Sequence, residues 1–186
     1  MSFKVLVIPE DPTHNSYILK PLVEKLLADA GKPNAKVTVL INPRLEGYDQ
    51  AVRAIREELP VRYGYFDLWL FIPDADRATP DAMKSLEITL AEQSVNLLCC
   101  PAQLEIEIYP CVAYRSEIHQ PWQEVRTSMR MKEDHFEPLL SKHGDPRRAG
   151  GGRDIMIRES LSNMQGLYQL CPELRELKDR IAEVVS

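Results

Sequence analysis

The chain lacks the short motifs that most directly indicate a function. It contains no GxxxxGK[ST] sequence, so it binds no nucleotide through a P-loop. GxGxxG and GxSxG sequences are also missing. None of the four cysteines has CxxC spacing, and neighbours such as Cys99 and Cys100 rarely bridge, so buried reduced thiols are expected.

The chain has no excess of positive charge and no long apolar run. The net charge of -5 argues against a surface coated in positive charge for nucleic-acid binding, although a local basic patch stays possible. No apolar stretch approaches the roughly 20 residues needed to span a membrane. The N-terminus shows no signal-peptide pattern, so we expect a cytoplasmic protein without a membrane partner. The length of 186 residues and the hydrophobic content of 44% predict one domain.

Strand and helix patterns alternate along the first half of the chain. Apolar strands are predicted at 3–9, 37–41, 67–73 and 95–100, and helices at 16–30, 47–59 and 79–93. Asn15 or Ser16 is the expected cap of the first helix, and Thr79 with Pro80 starts the third. Continuous apolar strands separated by helices predict an α/β fold, with an open, mainly parallel sheet covered by helices on both faces.

The regular pattern weakens after Pro101. Leu104, Ile106 and Ile108 alternate with polar residues, which predicts a strand, or the edge of one, with Glu105 and Glu107 on its polar side. The remaining helices are expected near 131–142, 154–165 and 172–185, with a glycine- and arginine-rich loop at 142–153. We therefore expect an α/β core over 1–112 and a mostly helical extension over 113–186, packed together as one compact unit.

Acidic residues follow two of the predicted strands. Glu10 comes after strand 3–9, and Asp74 and Asp76 come directly after the run that ends at Pro73. Open parallel sheets commonly place strand one beside strand three, which would bring these acids into one crevice. Ionised acids held together repel each other unless a cation lies between them, and Mg²⁺ prefers carboxylate oxygens. The alternative for the two aspartates is a solvated turn or a helix cap, and the alternative for Glu10 is an ordinary surface acid after a strand. Asp11, which is adjacent, is a second candidate for the role of Glu10.

Glu10 after the first strand, with Asp74-x-Asp76 after a later strand, resembles the Toprim domain. That domain is shared by topoisomerases, primases and nucleases of the overcoming-lysogenization-defect class. Toprim domains usually carry glycine after the glutamate, whereas Asp11-Pro12 follows here. Other segments resemble a small stand-alone Toprim-like group, often encoded beside an ATPase in prokaryotic defence loci: Pro101 with Leu104-Glu105, Lys132-Glu133, Phe136-Glu137-Pro138-Leu139-Leu140, Gly150-Gly151-Gly152-Arg153 and Cys171-Pro172-Glu173-Leu174.

The resemblance implies a nuclease, or a nuclease subunit, that uses Mg²⁺ or Mn²⁺ to cleave DNA or RNA, with a separate ATPase partner. Asp74 and Asp76 would bind the metal, and Glu10 would bind it or act as general acid/base. Glu105, with Glu107, would supply ligands for a second metal. Such a metal lowers the pKa of bound water and neutralises charge that grows on a phosphate oxygen.

The basic loop offers a second candidate site. Arg147, Arg148 and Arg153 lie among glycines that let the backbone approach a ligand, and arginine recognises phosphate through two parallel hydrogen bonds. We expect a nucleic-acid backbone to lie here. The alternative is a solvated loop without a ligand.

Two other functions fit the sequence. One is a non-catalytic subunit that binds an ATPase through the apolar faces of the last helices, carried by Met156, Leu161, Met164, Leu167, Leu174, Leu177 and Ile181. These same residues would serve equally well as core. The other is a receiver-like phospho-acceptor with Glu10, Asp11 and Asp74 as its acidic pocket. A receiver would also need a lysine at the end of a fifth strand, and the sequence shows no obvious one.

Overall fold

A four-stranded parallel sheet forms the centre of the molecule. The computed structural model describes residues 2–186. Its strands are β1 (Lys4–Pro9), β2 (Lys36–Val39), β3 (Leu68–Ile72) and β4 (Leu97–Cys99). They lie in the order β2-β1-β3-β4, and every neighbouring pair is parallel. The predicted α/β class and the predicted position of strand one beside strand three are confirmed.

The helices α1 (Pro12–Asp29), α2 (Tyr48–Glu57), α3 (Leu59–Tyr63) and α4 (Pro80–Glu92) connect the strands. The predicted cap of α1 at Asn15 or Ser16 is wrong, because the helix begins earlier. Asp11 caps it by accepting a hydrogen bond of 2.8 Å from the Thr13 backbone N–H, and proline suits the first turn. The cap of α4 at Thr79 is confirmed, since its hydroxyl accepts a hydrogen bond from the Ala82 N–H.

Short helices dominate the second half of the chain: α5 (Ile108–Cys111), α6 (Trp122–Arg126), α7 (Glu137–His143), α8 (Arg153–Leu161), α9 (Met164–Leu170) and α10 (Pro172–Val185). A π-helical turn, Lys132–Phe136, leads into α7, and 3₁₀ turns cover Val112–Glu117 and Ala149–Gly152. The predicted strand around Leu104 to Ile108 is wrong. Leu104 has a left-handed backbone with φ of 61°, and α5 already begins at Ile108.

The sheet is buried on both faces, which explains its continuous apolar strands. Val5 and Val7 of β1 pack in one core with α1, α8 and α10, while Leu6 and Ile8 pack in a second core with α2 and α4. Most of the apolar residues proposed for partner docking are buried in the first core: Met156, Leu167, Leu174, Leu177 and Ile181. Leu161 and Met164 pack against it. The predicted docking face is therefore part of the interior.

The cysteines and the helix lengths complete the description. All four cysteines are buried and unbridged, as predicted. No helix within residues 2–186 combines the length and the apolarity needed to cross a membrane. The receiver-like alternative needed a fifth strand, whereas the sheet described for residues 2–186 has four.

Candidate active site

The acids that follow β1 and β3 meet at the carboxyl edge of the sheet. Pro9 of β1 lies opposite Ile72 of β3, so both strands end at the same level. Glu10 then contacts Asp74: the backbone N–H of Asp74 donates a hydrogen bond of 3.2 Å to Oε2 of Glu10. Parallel pairing thus joins two acids that are far apart in the sequence.

The segment after β4 brings two further glutamates to the same place. Ala102 extends β4 by a single bridge to Asp74, and the Ile106 N–H donates a hydrogen bond of 3.0 Å to Asp74 Oδ1. Between Ala102 and Ile106, the chain turns tightly at Leu104, and the Glu105 N–H donates a hydrogen bond of 3.0 Å to the Gln103 carbonyl. A positive φ is unusual for leucine, and strained backbone of this kind concentrates at functional sites.

We call Glu10, Asp74, Asp76, Glu105 and Glu107 the acid cluster. Asp74 is at its centre, and its pKa is raised to about 7. Burial is the main cause, followed by the charge of Glu107, while the hydrogen bond from Ile106 opposes the shift. Glu10 and Glu105 raise this pKa further. Asp74 is therefore close to half protonated at neutral pH.

The pKa values of Glu10 and Glu105 are raised as well. Burial raises the pKa of Glu10, and the negative charge of Asp76 adds to the effect, although the backbone N–H of Asp74 opposes it. Burial also raises the pKa of Glu105, and the charge of Glu107 contributes next. The Oε2 atom of Glu105 is buried and has no hydrogen-bond partner among the described residues. Asp76 itself is exposed.

Lys132 is a cationic member of the site that the spacing of the acids did not predict. Its Nζ atom lies 3.0 Å from Oε1 of Glu107, whose side chain is only 4% exposed. Burial acts to lower the pKa of Lys132, but Glu107, Glu105 and Asp74 outweigh it and raise that pKa overall. The sequence marked Lys132 only as part of the Toprim-like resemblance. Its contact with Glu107 depends on how the π-helical turn packs beside α5.

The carboxylates of the cluster are suitable ligands for a hard cation, although they do not form a preformed metal site. Within residues 2–186, no three Asp, Glu, His or Cys side chains are arranged as a group that could hold a metal ion. The cluster nevertheless offers carboxylate oxygens, the ligands that Mg²⁺ prefers. The unpartnered Glu105 oxygen and the exposed Asp76 carboxylate are free to take part.

A cavity of about 450 Å³ opens on the β1 side of the cluster. It is lined by Glu10, Asp11, Asn15, Arg44, Glu46, Gly47 and Asp74. Asp11 is engaged in capping α1, so Glu10 rather than Asp11 is the acid in contact with Asp74.

A larger and mostly apolar cavity of about 720 Å³ lies between α4 and α10. Its Glu87 and Arg180 side chains already pair with each other at 2.7 Å. None of the acid cluster lines this larger cavity. The smaller cavity is therefore the one that reaches the cluster, at Glu10 and Asp74.

The arginines of the basic loop are held by the loop itself. Arg147 pairs with Asp145 at 3.0 Å, and Arg148 pairs with Asp154 at 2.6 Å. The guanidinium of Arg153 donates a hydrogen bond of 3.0 Å to the Gly150 carbonyl and lies over the ring of Phe136. None of these arginines forms an ion pair with the acid cluster within residues 2–186.

Comparisons with family models, with curated proteins and with solved structures find no match to this chain. The Toprim-like resemblance therefore stays a prediction. Any functional conclusion must rest on the acid cluster, Lys132 and the adjoining cavity.

Proposed function

We propose that this protein is a Mg²⁺-dependent phosphodiester hydrolase that acts on DNA or RNA, with the acid cluster as its metal site. The observation that carries the proposal is the convergence of carboxylates from the ends of β1, β3 and β4. One of them, Glu105, has a buried oxygen without a partner. Buried carboxylates without compensating hydrogen bonds are costly, and a bound cation removes that cost.

Each acid has a distinct role in this proposal. Asp74 and Asp76 would bind the metal, because Asp74 is at the centre of the cluster and the exposed carboxylate of Asp76 is two residues away along the chain. Glu105 would add a further oxygen. Glu107 is neutralised by Lys132 at 3.0 Å, so it shapes the field of the site more than it binds metal directly. When bound, Mg²⁺ lowers the pKa of a water molecule and offsets charge on the phosphate.

Glu10 is the general base in this proposal. The Asp74 backbone N–H holds its Oε2 atom, which fixes the carboxylate at the mouth of the cavity. Its raised pKa brings it closer to the range in which a carboxylate accepts a proton effectively from attacking water. Lys132 limits the total negative charge, which would otherwise repel a phosphate.

Two implications of the resemblance stay predictions without structural support. The arginines at 147, 148 and 153 are engaged within their loop, so nucleic-acid contact there would require them to exchange partners. Association with a separate ATPase subunit likewise stays a prediction of the resemblance. The apolar residues of the last helices that could bind such a partner lie mostly in the first core. We therefore propose no partner-binding function in place of hydrolysis.

Calorimetric titration with Mg²⁺ and Mn²⁺, followed by cleavage assays on single- and double-stranded DNA and RNA, tests the proposal. The wild type is expected to bind metal and cleave, and Asp74→Asn/Asp76→Asn is expected to do neither while it stays folded. Asp81→Asn is the matched control, because it removes an exposed acid at the start of α4. Cleavage that survives in the double variant, or metal binding that is equal in both proteins, would refute the site.

A further inference from the structure

Asn15 presents a side-chain amide to the cavity beside the acid cluster. It is the fourth residue of α1 and is only 7% exposed. Since Asp11 caps the helix, Asn15 has no capping role. Within residues 2–186, its side-chain amide forms no hydrogen bond, yet the residue lines the cavity beside Glu10 and Asp74. An amide that lines a cavity and has no partner in the protein is available to a ligand.

Arg44 supplies positive charge to the same cavity. Its Nη2 atom donates a hydrogen bond of 3.2 Å to the Thr13 hydroxyl, and its Nε atom lies 4.0 Å from Glu46. Both partners leave much of the guanidinium available, because its side chain is 66% exposed. The Thr13 contact holds Arg44 over the start of α1, from which Asn15 also projects.

We propose that Asn15 and Arg44 form a subsite for a phosphate group of the substrate, next to the metal site. The inference rests on the proposed function, because Glu10, Asp11, Glu46 and Asp74 would repel a phosphate in this cavity unless a cation were present. The Asn15 amide would donate a hydrogen bond to one phosphate oxygen, and Arg44 would bind a second oxygen. The volume of about 450 Å³ suits a small ligand group.

The position of this subsite determines what the two residues would do. Because Glu10 and Arg44 line the same cavity, a phosphate held by Arg44 would be close to the proposed general base. Asn15 lies deeper than Arg44 and is rigidly placed by its helix. It would therefore fix the orientation of the phosphate and also contribute to the affinity of binding.

The test measures binding of inorganic phosphate, of a ribonucleoside monophosphate and of a deoxyribonucleoside monophosphate by calorimetry, with Mg²⁺ and with EDTA. Asn15→Asp keeps the side-chain shape but replaces the donor with a negative charge, and Asn15→Leu removes both polar groups. Each is expected to weaken nucleotide binding about ten- to one-hundred-fold, as for a hydrogen bond to a charged group. Mg²⁺ binding alone should persist in both variants.

Arg44→Ala is expected to weaken nucleotide binding at least about tenfold, because a charge-assisted contact is lost. Arg53→Ala is the matched control, since Arg53 is an exposed arginine of α2 that pairs with Glu57 outside the cavity. It should leave binding unchanged. Equal affinities for the ribose and deoxyribose forms, and measurable binding of inorganic phosphate, would identify the phosphate as the recognised group.

Thermal unfolding separates this role from a structural one. An amide without a partner contributes nothing to the fold, so Asn15→Leu should not lower the melting temperature. A lowered melting temperature with unchanged nucleotide affinity would overturn the inference. Mg²⁺ binding by the wild type without any nucleotide binding would overturn the subsite and leave the metal site standing. Nucleotide binding of equal strength in EDTA would also overturn the inference, because the four acids of this cavity would repel a phosphate without a cation.

Discussion

Replacement of Asp74 by asparagine should stabilise the metal-free protein at alkaline pH. Asparagine resembles protonated aspartic acid in shape, and its carbonyl oxygen retains an acceptor for the Ile106 N–H. The wild-type carboxyl group must instead ionise among Glu10, Glu105 and Glu107 as the pH rises. The substitution therefore removes a buried charge while it preserves the hydrogen bond that anchors the turn after β4.

The sign and size of the effect follow from the pKa of Asp74. Folding raises this pKa from 3.8 to about 7, so the folded state holds its proton more tightly than the unfolded state. The resulting contribution to stability is complete below pH 3.8, decreases as the pH rises, and is lost above about pH 7. A shift of this size corresponds to about 4 kcal/mol. The variant and the wild type should thus be equally stable near pH 4 and differ by up to about 4 kcal/mol at pH 8.

Urea unfolding in EDTA at a series of pH values measures the difference. Asp76→Asn is the control, because Asp76 is exposed and its loss should change the free energy of unfolding by less than about 1 kcal/mol. Mg²⁺ should stabilise the wild type at pH 8 and leave Asp74→Asn nearly unchanged. If the free energy of unfolding has the same pH dependence in both proteins, Asp74 does not carry the raised pKa and the reasoning fails.

The remaining predictions concern the neighbours of Asp74. Mg²⁺ binding should release close to one proton per metal at pH 6 and far less at pH 8.5, because Asp74 has a pKa of about 7. Calorimetry in two buffers of different ionisation heat would measure the number of protons released. If no proton is released at pH 6, the prediction is wrong. Lys132→Met should lower the free energy of unfolding by up to about 3 kcal/mol at pH 8, because buried Glu107 loses its partner. Unchanged urea unfolding would exclude that pair as a stabilising contact. Asp11→Ala should cost about 1 kcal/mol through loss of the α1 cap. It should leave Mg²⁺ affinity unchanged, and calorimetry that shows lost affinity would assign Asp11 to the metal site.

The sheet was predictable because burial on both faces leaves an unambiguous pattern. Each strand is a short apolar run between helical segments, and the position of β1 beside β3 follows from the commonest winding of parallel sheets. That step also predicted the meeting of Glu10 and Asp74. The helix that follows β1 was placed too late, since its apolar periodicity begins well after the cap at Asp11. The alternation around Ile106 was misleading, because a tight turn buries both Ile106 and Glu107.

Residues whose roles depend on tertiary packing could not be predicted from their spacing. Lys132 reaches Glu107 only because the π-helical turn packs beside α5. The sequence predicts Asn15 as a candidate helix cap, but Asp11 caps α1 instead. Asn15 therefore lies inside the helix, where its spacing alone indicates no role. The pairing of Arg147 and Arg148 with nearby acids likewise depends on the conformation of the loop.

The proton on Asp74 and the ammonium group of Lys132 neutralise the acid cluster in different ways. Lys132 is fixed to Glu107, and its raised pKa keeps it charged across the physiological range. The Asp74 proton is labile near pH 7, so a divalent cation competes with that proton rather than with the lysine. Metal affinity should therefore rise with pH up to about 7 and then level off. A site in which the metal displaced Lys132 instead would keep gaining affinity well above that pH, so the shape of the curve distinguishes the two arrangements.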